Sequence, residues 1–236
     1  MVLDTQMAQA FYATPRGGVA ALLLRERLAE FWPHTAGQSV LGLGYAAPYL
    51  RLWRDQARHC VALTPAQIGL AAWPPGGPGL SCTADEDALP FADVSFDRVL
   101  MVHALESAEH ARRMMREVWR VLRDDGRLLV VAPNRSGMWA HVENSPFGQG
   151  QPYSPGQIGR LLESSLFRVE RRDTALYVPP LDWRMVLRGA RLWERTGRRL
   201  LPQFAGVTLS EARKDMFAGM PLNRRAVRRL VLAEAA

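Results

Sequence analysis

The chain has 236 residues and a formal net charge of +7, and 48% of its residues are hydrophobic, an ordinary share for a globular protein. This length allows a full hydrophobic core in one domain. No apolar run reaches the ~18 residues that cross a bilayer, and the first residues lack the basic-then-apolar order of a signal peptide. We therefore expect no membrane span, no secretory leader and a cytoplasmic location.

The positive charge comes almost entirely from arginine, because Lys214 is the only lysine. A basic surface suits nucleic acid or anionic lipid, but these arginines are spread along the chain. Their densest groups, residues 188–199 and 224–229, are interpreted as solvated helix faces, and nucleic acid is not an expected partner. Cys60 and Cys82 are too few for a disulfide framework or a zinc site, so we expect buried free thiols and no bound metal.

The first predicted element is a helix over residues 19–31, where apolar positions recur at helical spacing and Pro33 ends the pattern. The segment before it, residues 11–18, holds two aromatic residues among turn formers. Two interpretations of this segment stay open: a cover over a pocket, or a frayed terminus held by one aromatic anchor.

The central stretch is residues 40–48, in which a short apolar run breaks into the closely spaced Gly42 and Gly44. This pattern is typical of a buried strand that ends in a tight turn, where an open α/β sheet brings its backbone to a ligand. The turn departs from the usual G-x-G-x-G pattern, because Ala46 and Pro48 stand where its second and third glycines would be.

Strands and helices alternate after this stretch, which predicts a mostly parallel sheet with right-handed crossovers. A Ser-Pro pair at 154–155 with Gln157 predicts a further helix, to about residue 165. The expected strands lie at 59–63, 80–83, 98–103, 127–133, 167–177 and 206–217, the other helices at 49–57, 66–73, 108–122 and 182–201, and a basic amphipathic tail at 224–236.

Two motifs resemble a known family. The first is the acidic turn 85–87 with Leu-Pro-Phe at 89–91 and Ser-Phe-Asp at 95–97, and the second is Arg-Glu-Val-Trp-Arg-Val-Leu-Arg-Asp-Asp-Gly-Arg-Leu at 116–128. In this order they resemble the class I S-adenosylmethionine-dependent methyltransferases of the small-molecule type 11 group, over about two thirds of the chain. The loop after the fifth strand is similar to that of uncharacterised bacterial members.

The resemblance implies an α/β fold, the Rossmann-like class I methyltransferase fold, with a mostly parallel seven-stranded sheet and helices on both faces. It also implies a single domain over residues 1–236. Residues 1–36 would form an N-terminal helical cover, residues 37–133 the cofactor-binding core, and residues 134–236 the substrate-side loop, the late strands and the basic tail.

The same resemblance implies S-adenosylmethionine as the cofactor, lying across the carboxyl ends of the first strands. Gly44 would let the backbone approach the methionine part, and Asp85 would accept a hydrogen bond from the adenine amino group. The implied cofactor-binding residues are Gly42, Gly44, Tyr45, Ala46, Leu63, Thr64, Asp85, Glu86 and His103.

Three positions depart from the family pattern. Family members carry an acid where this chain has Gly42, and a second acid, which holds the ribose hydroxyls, where it has Thr64. Loss of that second carboxylate weakens binding about tenfold or more, unless Asp55 or Gln67 reaches the ribose instead. Pro48 removes a backbone donor from the turn.

His103 follows the fourth predicted strand and is the candidate catalytic residue, since a neutral imidazole can take a proton from a nucleophilic oxygen or nitrogen. The alternative is a satisfied histidine at a strand end, because alignment supplies most of the rate of methyl transfer from a sulfonium. The candidate substrate-binding residues are Tyr12, Trp139, Phe147 and Tyr153. The alternative for the last three is a hydrophobic cluster that pins a long loop.

These observations give three hypotheses of function. The leading one is methyl transfer from S-adenosylmethionine to a small-molecule acceptor, without a metal. The second is a non-catalytic relative with a decayed cofactor site, acting as a binding or regulatory partner. The third and weakest is RNA methylation, which is motivated by the charge and predicts a basic stripe on the cleft face.

Overall fold

A computed structural model describes residues 3–70, 72–74, 76–77 and 79–216 of the chain. Seven strands form one sheet, and they are β1 (Ser39–Gly44), β2 (His59–Pro65), β3 (Ser81–Ala84), β4 (Phe96–Val102), β5 (Leu122–Pro133), β6 (Phe167–Ala175) and β7 (Val207–Lys214). Their order is β3-β2-β1-β4-β5-β7-β6. Only β7 runs antiparallel to its neighbours, so the predicted seven-stranded, mostly parallel sheet is confirmed.

Helices pack on both faces of this sheet. They are α1 (Thr5–Ala13), α2 (Pro15–Phe31), α3 (Ala47–Leu50), α4 (Ala111–Val121), α5 (Pro155–Ser164), α6 (Arg184–Arg188) and α7 (Ala190–Leu200). One hydrophobic cluster joins the sheet to α2 and α3, and a second joins its other face to α4 and α5. No helix in the described part of the chain is long and apolar enough to cross a membrane.

The apolar runs of the sequence follow from this layering. In β1 every residue is buried, with Val40 in the α2 cluster and Leu41 in the α4 cluster. Successive side chains of a strand point to opposite faces, so a strand covered on both sides must be apolar throughout. The glycine stretch therefore ends at the centre of the molecule.

The N-terminal segment is more regular than expected. Residues 11–18 are not a turn but the end of α1 and the start of α2, separated by Thr14 alone. The Thr14 side chain accepts a hydrogen bond from the Gly17 amide at 3.0 Å, and Pro15 occupies the first helical turn. Both features start a helix, so a Thr-Pro pair that reads as a break begins a new helix here.

The predicted helix at 66–73 is wrong, because the described residues of that range form a turn and irregular chain. Strand β2 continues to Pro65, and the Ala66 amide donates to Ala84 at 3.0 Å, which keeps the chain beside β3. Gly69 has a φ of +93°, a value incompatible with a helix. Tertiary pairing has overridden the local preference.

Three smaller differences concern element ends. The helix at 49–57 is the four-residue α3 followed by turns, and the helix at 182–201 is divided into α6 and α7 at Gly189. Strand β5 begins at Leu122 instead of residue 127, with a register shift opposite the start of β4. The predicted tail at 224–236 lies outside the described residues.

Both cysteines are free thiols, as expected, but only Cys60 is fully buried, whereas Cys82 is partly exposed. Burial raises the pKa of the Cys60 thiol to about 12. Because the thiolate is the nucleophile, we expect iodoacetamide at pH 8 to label Cys82 in the native protein and Cys60 only after urea is added. Peptide mass spectrometry of the two thiols measures this, and equal labelling of both in native protein would contradict the buried position of Cys60.

Candidate active site

The sheet reverses its winding between β1 and β4, where helical connections depart in opposite directions. In open α/β sheets this is the place where a crevice opens beyond the carboxyl ends of the strands. The two strands end here at Gly44 and Val102, and the amide of Tyr45 donates to the Val102 carbonyl at 2.8 Å. The turn after β1 is thus tied to the end of β4.

Close packing requires glycine at both predicted positions of this turn. Gly44 has a φ of +84°, and a Cβ there would collide with the Val102 carbonyl and with Ala104. A Cβ on Gly42 would lie 2.7 Å from Leu50 and 2.8 Å from the Cβ of Ala46. Gly42 therefore serves the packing of α3 against β1.

Aromatic side chains fill the space above this turn. Tyr12 of α1 stacks on Tyr45, with ring centroids 5.6 Å apart and planes within 9°. The imidazole of His103 meets the edge of Phe147 at 4.7 Å. We call this group the aromatic cluster, and its members are Phe11, Tyr12, Tyr45, Tyr49, Trp139, Phe147 and His103.

A chain of hydrogen bonds runs through the cluster to a buried carboxylate. The hydroxyls of Tyr49 and Tyr12 are 2.8 Å apart, and the Tyr12 hydroxyl lies 2.7 Å from Nε2 of His103. Nδ1 of His103 lies 3.0 Å from Oε1 of Glu106. A carboxylate can only accept, so we assign the proton to Nδ1, which leaves Nε2 to accept from Tyr12.

Burial keeps Tyr12 and Tyr49, the two tyrosines of this hydrogen-bond chain, protonated. It raises the pKa of the Tyr12 phenol well above its usual value, and it also raises that of Tyr49. Each phenol therefore has one proton to donate, and the direction Tyr49 to Tyr12 to His103 gives the Tyr12 hydroxyl and both imidazole nitrogens a partner. The relay ends at Glu106, whose Oε2 is buried without a hydrogen-bond partner among the described residues.

His103 adopts a backbone conformation that only a few per cent of non-glycine residues adopt. Its φ is +53°, and its side chain is 1% exposed. This turn directly after β4 aims the imidazole into the cluster, three residues before Glu106. Strained backbone held by dense packing is typical of functional sites, so we retain His103 as the candidate catalytic residue.

A second feature lies at the carboxyl ends of β2 and β3. A cavity of about 390 Å³ opens there. Asp85 is exposed at this cavity, directly after β3, and Glu109 adds another carboxylate. Its lining residues are Ala66, Gln67, Asp85, Glu86, Asp87, Glu109 and His110.

Glu86 differs from its neighbour Asp85, because it is buried and used by the fold. Its Oε2 accepts from the Gln67 side chain at 2.7 Å, and its Oε1 accepts from the His110 amide at 2.7 Å. Glu86 thus joins the chain after β2 to the start of α4. Asp85 is the carboxylate of this pair that remains accessible to a ligand.

The residues predicted to lie near the cofactor's ribose, or to replace its missing acid, belong to β2 and its flanking segments. Leu63 and Thr64 are buried in β2, with the Thr64 backbone beside Thr83 of β3. Gln67 lies at the cavity, but its amide is engaged with Glu86. Asp55 precedes the amino end of β2, at the opposite edge of the sheet, and is exposed. Of the two substitutes that the sequence offered, only Gln67 is near the cavity.

The loop after β5 divides the predicted substrate residues. Trp139 and Phe147 are 1% exposed, and the Trp139 indole donates to the Val178 carbonyl at 2.9 Å. Tyr153 lies apart from the aromatic cluster, half-buried on the other face of the sheet, with its backbone paired to that of Asn134. Phe147 therefore contacts His103, and Trp139 joins the aromatic cluster through Phe11 and Phe147.

Sequence reasoning missed three members of this site: Phe11, Tyr49 and Glu106. The available signal for Glu106 was a lone carboxylate three residues after a histidine, at the end of an apolar strand. The signal for Tyr49 was weaker, since an aromatic residue in a short helix is usually part of the core.

Comparisons with known proteins agree with this architecture. Residues 40–130 match a family model described as a methyltransferase domain. The uncharacterised protein Rv2003c of Mycobacterium tuberculosis is 32% identical over 108 residues, which are 43% of this chain and 38% of that protein. The match thus spans about two fifths of the relative's length.

Solved structures extend the likeness to most of the chain. An S-adenosylmethionine-dependent methyltransferase from Mesorhizobium loti is 18% identical, with a TM-score of 0.60 over 80% of this chain and 96% of that one. A second match is the Haloferax volcanii complex of the Trm112 methyltransferase activator with a putative methyltransferase. It is 17% identical, with a TM-score of 0.62 over 88% of this chain and 97% of that one. Residues 40–130 therefore match a methyltransferase domain, and most of the chain has the fold of these solved methyltransferases.

Proposed function

We propose that the protein transfers a methyl group from S-adenosylmethionine to a small-molecule acceptor. The observation that carries this proposal is the buried pair of His103 and Glu106 at the point where the sheet reverses its winding. Glu106 holds the proton on Nδ1, and Nε2 faces the cluster as an acceptor. A residue that must receive a proton during a reaction needs this arrangement.

The residues beyond β2 and β3 fit the adenosine half of the cofactor. Asp85 presents an accessible carboxylate to an amino group, and Glu86, Asp87 and Glu109 add negative charge around the cavity. The cofactor carries a sulfonium and an ammonium against one carboxylate, so its net charge is positive. Charge and hydrogen-bonding capacity therefore agree at this end of the crevice.

The residues at the methionine end fit the cofactor only after a movement. The ring of Tyr12 fills the space between Tyr45, Tyr49 and His103. Because Tyr12 belongs to α1, at the start of the chain, displacement of this one helix opens the space without a change in the sheet. Tyr12 thus acts as a cover in this closed arrangement of the crevice.

The chain's own residues would then do the following. When bound, the cofactor would supply a methyl group carried on a sulfonium, whose sulfur is left as a neutral thioether once the methyl group is transferred. The acceptor takes the place of the Tyr12 hydroxyl, and His103 receives its O–H or N–H proton at Nε2 while Nδ1–H continues to donate to the Glu106 carboxylate. The aromatic cluster excludes water and aligns the acceptor. The cytoplasm remains the predicted location of this reaction.

A non-catalytic role is the second candidate, and one observation favours it. The turn after β1 is packed against its own chain at Gly42 and Gly44, and Ala46 and Pro48 replace the other glycines. If Tyr12 never leaves the crevice, the fold would serve only as a binding partner. Cofactor binding separates the two candidates.

Titration calorimetry with S-adenosylhomocysteine tests the proposal. We expect the wild type to bind, and Asp85→Asn to bind about tenfold more weakly, because the hydrogen bond from the adenine amino group loses its charged acceptor. The matched control is Asp55→Asn, an exposed carboxylate at the opposite edge, whose affinity should not change. Absence of binding by the wild type would overturn the proposal, and equal affinity of Asp85→Asn would remove Asp85 from the site.

A further inference from the structure

The connection between β6 and β7 carries an unusual surface. It contains α6, α7 and a short 3-10 helix, Pro202–Phe204. Eight of the fourteen most exposed large apolar side chains of the described residues fall within residues 181–204. They are Leu181, Trp183, Met185, Leu192, Trp193, Leu200, Leu201 and Phe204.

The same segment is strongly basic. It holds six exposed arginines and two acids, one of which, Glu194, is buried and accepts from the Tyr177 amide. Two of the arginines are ion-paired, Arg191 with Glu26 and Arg198 with Asp173. No ion pair involves the other four in the described part of the chain, and these are Arg184, Arg188, Arg195 and Arg199. The arginines of residues 188–199 thus lie on a solvated face, with exposed apolar side chains beside them.

Helix α7 separates the two kinds of side chain. Ala190, Glu194 and Gly197 form its buried edge, at helical spacing. Arginines occupy one exposed flank, at 191, 195, 198 and 199, which lines a cavity shared with α2. Leu192, Trp193 and Leu200 occupy the opposite exposed flank. An arginine flank beside a tryptophan and leucine flank is typical of helices that lie in a membrane interface.

We propose that residues 181–204 form a peripheral docking surface for an anionic lipid bilayer. Charge complementarity selects this occupant, since exposed arginines are attracted to a negative lipid surface and tryptophans favour the interface. The remaining C-terminal chain, residues 217–236, is a poor cover for this surface, because it carries four arginines of its own. Nucleic acid would use the arginines but leave the eight apolar side chains exposed.

The position of this surface supports a functional role. Strand β6 ends at Ala175, which pairs with Val207 at the start of β7, and Val207 pairs in turn with Pro133 at the carboxyl end of β5. The segment therefore leaves and rejoins the sheet at the edge that holds the crevice. The two ends of the docking surface thus lie at the same edge of the sheet as the carboxyl end of β4, which His103 follows.

Flotation of the full chain with lipid vesicles tests the proposal. We expect it to float with vesicles of equal parts phosphatidylcholine and phosphatidylglycerol, and not with phosphatidylcholine alone. The apolar double variant Trp183→Gln with Met185→Gln should lose at least about tenfold in partition. Arg184→Gln with Arg195→Gln should lose about fivefold for each arginine, and added salt should lower binding of the wild type. All four side chains are exposed, so these variants are expected to fold.

The matched control is Leu22→Gln with Leu70→Gln, two exposed leucines elsewhere on the molecule, which should float like the wild type. Absence of flotation by the wild type would overturn the proposal. Equal flotation of the control and the segment variants would overturn it as well, because the effect would then not be specific to residues 181–204. So would dimerisation in sedimentation that only the segment variants abolish, or displacement from the vesicles by RNA, because either result would assign the surface to another occupant. None of these results depends on cofactor binding.

Discussion

The variant Tyr12→Phe is expected to bind S-adenosylhomocysteine about tenfold more tightly than the wild type. In the closed arrangement the Tyr12 hydroxyl makes two hydrogen bonds, to His103 at 2.7 Å and to Tyr49 at 2.8 Å. Each contributes ~0.5–1.5 kcal/mol, and a ligand that displaces Tyr12 must break both. Phenylalanine keeps the stacking on Tyr45 but lacks these bonds, so its displacement is easier.

The matched control for this result is Tyr153→Phe, which removes a phenol outside the aromatic cluster and should leave the affinity unchanged. Calorimetry measures all three proteins under one set of conditions. Weaker binding by Tyr12→Phe would mean that the Tyr12 hydroxyl contacts the ligand, and it would contradict the role of Tyr12 as a cover that must leave.

The second large effect concerns the loop after β5. We expect Trp139→Ala to lower the free energy of unfolding by ~3–5 kcal/mol. Trp139 is buried, its indole donates to the Val178 carbonyl, and Phe11 and Phe147 pack on its faces and edges. Such a loss is a large part of the total stability of an ordinary domain, which is ~5–15 kcal/mol. Urea unfolding followed by circular dichroism measures it.

The neighbouring residue provides the comparison. Met138→Ala removes a side chain that is 42% exposed, and we expect a change within ~0.5 kcal/mol. If Trp139→Ala were equally mild, the loop would be a movable lid instead of a pinned wall of the site. The large value is expected because Trp139 and Phe147 contact α1 as well as each other.

The core of this fold could be predicted because local and tertiary signals agree there. The fourth strand was recognised from its apolar run, since β4 is covered on both faces. The start of α5 was recognised from Ser154 and Gln157, which form a capping box in the structure. In both cases the residues that specify the element lie within it.

The remainder depends on contacts that sequence order hides. The segment at 66–73 lacks a helix because Ala66 pairs with Ala84, eighteen positions away. The link between His103 and Glu106 depends on the positive φ of His103, which no residue type in that stretch requires. Tyr12 reaches His103 across ninety-one positions, through the packing of α1 on the sheet edge. The sequence indicated Tyr12 and His103 separately, and only the fold joins them to each other and to Glu106 in one site.

A crystal structure of the protein with S-adenosylhomocysteine tests the central claim most directly. We expect the adenine amino group within hydrogen-bonding distance of the Asp85 carboxylate, the thioether near His103, and the Tyr12 ring displaced from its stack on Tyr45. A ligand bound elsewhere, or a crevice in which Tyr12 still bridges Tyr49 and His103 at saturating ligand, would contradict the assignment of this crevice as a methyltransferase active site.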